Sequence, residues 1–172
     1  MPFDLSSRDD TIEPHIPALR RFARSLEGDR DRADDLVQEC LVRALSAWPT
    51  LRSTDRVRSW LFSILYNAFL MQTRQSKRRA AMLPLESVDP PGQAYDQVGT
   101  LGATDVLRAI STLSEEHRAV LLLVSVEDMS DAEVAKTLRI PIGTVMSRLS
   151  RARGQLRNIL SGRNIVPLGR TK

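Results

Sequence analysis

Acidic residues are missing from two long stretches of this chain. None lies between Asp55 and Glu86, and none follows Glu133. The same stretches are basic, with six Lys or Arg in residues 56–79 and eight in residues 139–172. A surface that carries guanidinium groups and no carboxylate attracts phosphate rather than repelling it. Cysteine is nearly absent. Cys40 stands alone, which excludes an intrachain disulfide framework and fits a reducing cytosol. Aromatic residues make up only 5%, so any core is built from Leu, Val, Ile and Ala. No apolar run is long enough to span a bilayer. The first residues, MPFDLSSRDD, have neither the basic start nor the apolar centre of a signal peptide. A cytoplasmic location is the expectation.

The means for catalysis are missing too. His15 and His117 have no Cys or His partner at ligand spacing, so no metal is expected. No glycine-rich phosphate loop is present. Cys40 lies on an apolar helical stripe, which suits packing rather than nucleophilic attack. The expectation is a protein that binds and is not an enzyme, with no cofactor.

What is there is helical periodicity and segregated charge. The 172 residues are 42% hydrophobic with a net charge of +4. That length allows one medium domain or two small ones. Against the two basic stretches, residues 27–39 hold six acidic residues and two arginines. Two basic surfaces and one acidic surface imply separate partners. Ile12, Ile16, Leu19, Phe22, Ala23 and Leu26 recur at helical spacing, and Gly28 can end that helix. Leu36, Val37, Cys40, Leu41, Ala44, Leu45 and Trp48 make a second stripe, closed by Pro49. Val57, Trp60, Leu61, Ile64, Leu65, Ala68 and Phe69 make a third. Residues 83–102 break the pattern with proline and glycine and read as a flexible linker. Beyond it, Val106, Leu107, Ile110 and Leu113 form a short helix, and Ser114 is placed to cap the next. Ser130 and Glu133 fit a capping box. Pro141 and Gly143 shape a turn, and Thr144 is placed to cap the last helix. The fold class is therefore all-α, with two small helical domains, 1–82 and 103–172.

A short helix, a tight turn and a longer basic helix form a helix-turn-helix, which lays its second helix in the DNA major groove. At about 100° per residue, Val145, Leu149, Ala152, Leu156 and Ile159 share one arc, the core face. Ser147, Ser150 and Gly154 point away from it and let the helix approach a groove closely. Arg148 and Arg151 lie along one flank, with Arg153 and Arg157 toward the other. There they reach phosphates or guanine edges. In the first domain Arg74, Lys77, Arg78 and Arg79 close the third helix. Trp60 reads as core rather than as a stacking platform. Asn67 fits either a structural role or a base edge, since an amide offers paired donor and acceptor groups.

The segments DDLVQECLVRALSAW, WLFSILYNAFLMQTR, LSEEHRAVLLLV and IPIGTVMSRLSRAR, in that order, resemble an extracytoplasmic-function (ECF) sigma factor of the sigma-70 family. The resemblance covers nearly the whole chain. The opening HIPALRRFARSLEGDRDRADDLVQE is similar to the alphaproteobacterial general-stress, EcfG-like group. The resemblance implies promoter-specific transcription initiation in a stress response. Asp34, Asp35, Gln38 and Glu39 would bind the β′ clamp helices of core RNA polymerase. The loop with Arg52, Ser53 and Thr54, together with Asn67, Arg74, Lys77 and Arg78, would hold the −10 strand. Thr144, Ser147, Arg148, Ser150, Arg151 and Arg153 would read the −35 duplex. A small soluble anti-sigma factor of the NepR type would control the protein, with no membrane involved, and a helix laid in an apolar groove between the domains is its expected mode of binding.

Two positions depart from the family pattern. Met146 stands where many relatives carry a basic residue, and Asp128 stands at an inter-helix position where glycine is common, although Asp tolerates a left-handed backbone. Two other readings compete. A sigma-like decoy would sequester an anti-sigma factor without touching DNA, but should have lost its basic helix. A polymerase-independent repressor would not need the acidic helix.

Overall fold

The computed structural model describes residues 5–51, 53–82 and 101–163. Its regular elements are all helical. In the first half α1 (Leu5–Ile12) leads through a 3-10 turn at Glu13–His15 into α2 (Ile16–Glu27), α3 (Arg30–Ala47) and α4 (Val57–Met82). The sequence periodicity suggests one helix running on from Ile12. The chain instead turns at Pro14 and restarts with Pro17 in the first turn of α2, where a missing N–H costs no bond. Gly28 ends α2 with φ 71°, and its N–H donates to the Arg24 carbonyl at 2.9 Å. Asp29 caps α3 by accepting from the Arg32 N–H at 2.9 Å. The core of this half joins Leu19 and Phe22 of α2, Leu36 and Cys40 of α3, and Leu61, Phe62 and Leu65 of α4. Phe22 and Phe62 meet edge to face at 5.3 Å. Cys40 is buried there with its thiol on the Leu61 carbonyl, and burial pushes its pKa up to about 12. As expected, it is packed and unreactive.

The second half is α5 (Leu101–Ser111), α6 (Glu115–Ser125), α7 (Asp131–Leu138) and α8 (Ile142–Arg163). Leu101 and Gly102, expected in the linker, open α5; the rest of that segment lies outside the described residues. Ser114 caps α6, accepting from the His117 N–H at 3.3 Å. The Ser130–Glu133 capping box forms in full at the start of α7. Thr144 does not cap α8. The helix already begins at Ile142, and the Pro141 carbonyl accepts from the N–H groups of Thr144 and Val145. Val106 and Leu107 are largely exposed, so α5 buries Ala109 while Leu113, just past its end, fills the core. Asp128 takes the left-handed conformation the sequence requires of it, with φ 51°, and Arg139 does the same at φ 55° to turn α7 into α8.

The two halves pack on each other. α2 lies against α5 and α6, and α4 lies against α7. Glu127 is the centre of this contact, its side chain only 2% exposed. Its carboxylate takes both the Nε and an Nη of Arg21, at 3.3 and 3.1 Å. Arg58 reaches the same carboxylate at 3.6 Å and donates to the Glu127 carbonyl. Arg118 of α6 donates to the Leu26 carbonyl at 2.9 Å, and Thr137 of α7 to the Ser59 carbonyl at 3.5 Å.

Candidate nucleic-acid interface

The turn at Arg139 sets α8 across α7 with Val145, Leu149 and Ala152 buried beneath it. That fixes the rotation of the helix. Ser147, Ser150, Arg151 and Arg153 are exposed on the outward side, and Thr144 is half-buried at its edge. Ser147 donates to the Thr144 carbonyl at 3.1 Å, so its hydroxyl is tucked against the helix. Met146 is 57% exposed on the same outer surface and adds an apolar spot among the arginines. Arg148 differs from its neighbours. It lies about 60° round the helix from Val145. Its side chain is only 21% exposed and pairs with Glu116 of α6 at 2.5 Å. The structure thus brings five of the six predicted duplex-reading residues onto one open face and holds Arg148 back.

The first half offers a second basic surface. On α4 the positions Trp60, Ser63, Asn67, Arg74 and Arg78 fall within about 60° of one another. Arg74, Lys77 and Arg78 are exposed near the C-terminal end, and Asn67 is half-buried midway. At the N-terminal end this line runs into a cleft of about 630 Å³ lined by Thr50, Ser53, Arg56 and Trp60, with Lys136 and Arg139 on its far wall. Ser53 is half-buried with its hydroxyl on the Asp55 carboxylate at 3.3 Å, and Thr54 is exposed. Arg52 lies outside the described residues. Trp60 is half-buried, 6.2 Å from Trp48 in an edge-to-face pair, so it is both packed and a wall of the cleft. Arg56 opens the basic segment 56–79 read from the sequence; Ser63, also in the lining, was not singled out there, although the helical register through Asn67 could have flagged it.

The acidic helix α3 carries a third surface. Asp31, Asp35, Gln38, Val42 and Leu45 are all exposed and follow each other at three- and four-residue steps. The stripe is acidic at one end and apolar at the other, with Val42 64% exposed. Asp34 is half-buried beside it. Glu39 points elsewhere: it pairs with Arg43 at 2.5 Å and accepts from Gln72 of α4 at 2.6 Å. Val42 and Leu45 were read from sequence as core or passed over, because apolar residues at helical spacing look buried.

Comparison with known proteins agrees with this layout. The family model for the sigma2 domain of PhyR matches residues 12–66, and that for sigma-70 region 4 matches residues 103–156. The chain is 34% identical to the ECF RNA polymerase sigma factor EcfG of Rhodopseudomonas palustris (strain TIE-1), over 93% of this chain and 88% of that protein. It is 35% identical to the ECF sigma factor SigM of Mycobacterium tuberculosis, over 88% of this chain and 76% of the relative. Among solved structures it is similar to the sigma factor RpoE bound to the anti-sigma factor NepR from Bartonella quintana, with a TM-score of 0.76, 32% identity and coverage of 91% and 98%. It is also similar to CnrH bound to the cytosolic domain of CnrY, with a TM-score of 0.68, 27% identity and coverage of 93% and 91%. Among the described residues no helix is long and apolar enough to cross a membrane. This chain belongs to the ECF RNA polymerase sigma factors, the non-enzymatic DNA-binding factors that direct transcription initiation at chosen promoters.

Proposed function

We propose that the chain divides promoter recognition between its two basic surfaces and polymerase binding to its acidic one. The observation that carries this reading is the outward face of α8, where Ser147, Ser150, Arg151 and Arg153 are exposed over a buried Val145–Leu149–Ala152 seam. Small residues at the centre and arginines at the flanks suit a major groove. The −35 duplex is read there. The −10 strand follows α4 from Arg78, Lys77 and Arg74 past Asn67 to the cleft at Ser53 and Thr54. A basic track ending at an aromatic wall suits single-stranded DNA. Core polymerase docks on the α3 stripe through Asp34, Asp35 and Gln38, with Val42 and Leu45 adding apolar area.

Regulation follows from the EcfG-like relatives and from the NepR complex of the similar sigma factor. A small soluble NepR-type anti-sigma factor holds the chain inactive in the cytoplasm until a stress signal removes it. A groove of about 310 Å³ lined by Ile12, Ile16, Leu41 and Leu45, together with Asp9 and Glu13, offers an amphipathic helix a seat beside the polymerase stripe. It lies within the first domain; the cleft at the junction with the second has apolar walls from Leu51 and Trp60 beside the cations Arg56, Lys136 and Arg139. The match of residues 12–66 to the PhyR sigma2 model also favours a decoy reading. The retained basic face of α8 argues against it, since a decoy has no use for DNA contacts. The test is a pull-down of the chain with core polymerase while the anti-sigma protein is titrated in, alongside run-off transcription from a cognate promoter. Mutual exclusion with loss of transcript is expected. A stable ternary complex would overturn the regulation, and absence of transcript without inhibitor would overturn the promoter assignment.

A further inference from the structure

We propose that Met146 discriminates bases at the tip of α8, and that with Ile142 it reads the 5-methyl group of a thymine in the −35 duplex. This rests on the −35 reading proposed above and deepens it. A reading helix addresses base edges with its N-terminal residues. The first two turns of α8 hold a single cation, Arg148, and it is turned aside onto Glu116 at 2.5 Å with its side chain only 21% exposed. Gly143 has no side chain, Thr144 is half-buried, and Ser147 directs its hydroxyl onto the Thr144 carbonyl. What these turns leave in the open is apolar: Ile142 is 50% exposed and Met146 57% exposed.

The two residues are four apart, so they lie on one side of the helix, about 6 Å from each other along its axis. That side is the flank opposite Arg148 and Arg151. Single exposed apolar residues are ordinary on a protein surface. This pair makes a stripe, and cations bracket it. Arg139 is exposed in the turn before α8. Arg153 is exposed seven residues after Met146 and within about 20° of it around the helix. Cations at both ends suit phosphates, which position the helix and carry no sequence information. The stripe between them is left to the bases. In the major groove only thymine presents an apolar group, its 5-methyl. Methionine is unbranched, with three rotatable bonds and a polarizable sulfur, and so it moulds to such a group. Cytosine in the same place would set its amino group against apolar surface, where the lost hydrogen bond to water goes unreplaced. The stripe therefore favours thymine both by the contact it makes and by the contacts it refuses.

The experiment removes one methyl at a time. Core polymerase loaded with the full chain selects its probe from a pool of promoter duplexes randomised over the −35 region. Each thymine of the enriched motif is then replaced in turn by deoxyuridine, which lacks the 5-methyl and is otherwise the same base. With wild type, one such replacement should weaken binding about three- to fivefold, the effect of one methyl left unburied. Met146→Ala should weaken binding to the thymine duplex and bind the thymine and deoxyuridine duplexes alike. Met146→Leu, which keeps an apolar side chain of similar volume, should keep the preference. Met146 is exposed, so neither change disturbs the core. An enriched motif in which no methyl matters, as when the stripe seats a protein instead of DNA, would overturn the proposal. So would a thymine preference that survives Met146→Ala. Both results leave the −35 reading standing. A pool that enriches no −35 motif would overturn that reading, and the proposal with it.

Discussion

Glu39 of α3 accepts a hydrogen bond from Gln72 of α4 at 2.6 Å, and so ties the acidic helix to the helix that carries Asn67. Its neighbours Asp35 and Gln38 face solvent. The acidic cluster therefore splits into a brace and a solvent-facing stripe, the proposed polymerase dock. Glu39→Ala should lower stability by about 1 kcal/mol, because a partly exposed charged hydrogen bond is screened. Asp34→Lys with Asp35→Lys should leave the denaturation midpoint nearly unchanged and abolish holoenzyme assembly. Urea unfolding and native-gel binding to core polymerase separate the two. Normal assembly by the double mutant would remove the stripe from the polymerase contact.

Arg151 is the exposed arginine on the flank of α8 that Arg148 shares, and it has no acidic partner among the described ion pairs. Arg151→Ala should cost about 1–3 kcal/mol on the matched −35 duplex and much less on a scrambled one. A uniform loss with a salt slope lower by about one unit would assign it to phosphate instead. Titration of both duplexes at two salt concentrations distinguishes these outcomes.

Glu27 gives the fold a pH dependence. Burial raises its pKa above the ordinary glutamate value; Arg32 at 2.7 Å lowers it in part, and nearby Asp29 and Glu115 raise it again. A raised pKa means that the fold favours the protonated form. Its contribution is present below the ordinary value near 4.5 and is lost as pH rises through the elevated one. Glu27→Gln, neutral at every pH, should therefore melt higher than wild type at pH 7, and the gap should close below about pH 4. A gap independent of pH would show that Glu27 is not strained as an anion.

How much of this was readable in the sequence depends on range. Caps are local, so Ser114, the Ser130–Glu133 box and the Gly28 stop could be read from a few residues and are found in place. Thr144 misled because the helix begins at Ile142, which puts Pro141 at the cap position, three residues before Thr144. Periodicity found the seam of α8 but overstated the burial of Leu45, Val106 and Leu107, which are exposed rather than in the core. The interface at Glu127 joins residues 106 and 69 positions apart, and no local pattern encodes that. The pairing of Arg148 with Glu116 was hidden for the same reason, so an arginine that reads as available is found engaged.

The proposed function gives one chain two separate surfaces for two promoter elements. Footprinting of core polymerase loaded with this chain tests it most directly, using permanganate for melted thymines and a nuclease for the duplex. Wild type should protect the −35 region and melt the −10 region. Arg151→Ala should lose the −35 protection first, and Asn67→Ala should keep that protection while melting falls. Equal loss of both signals in both variants, or melting with no protected −35 region, would contradict the division of labour.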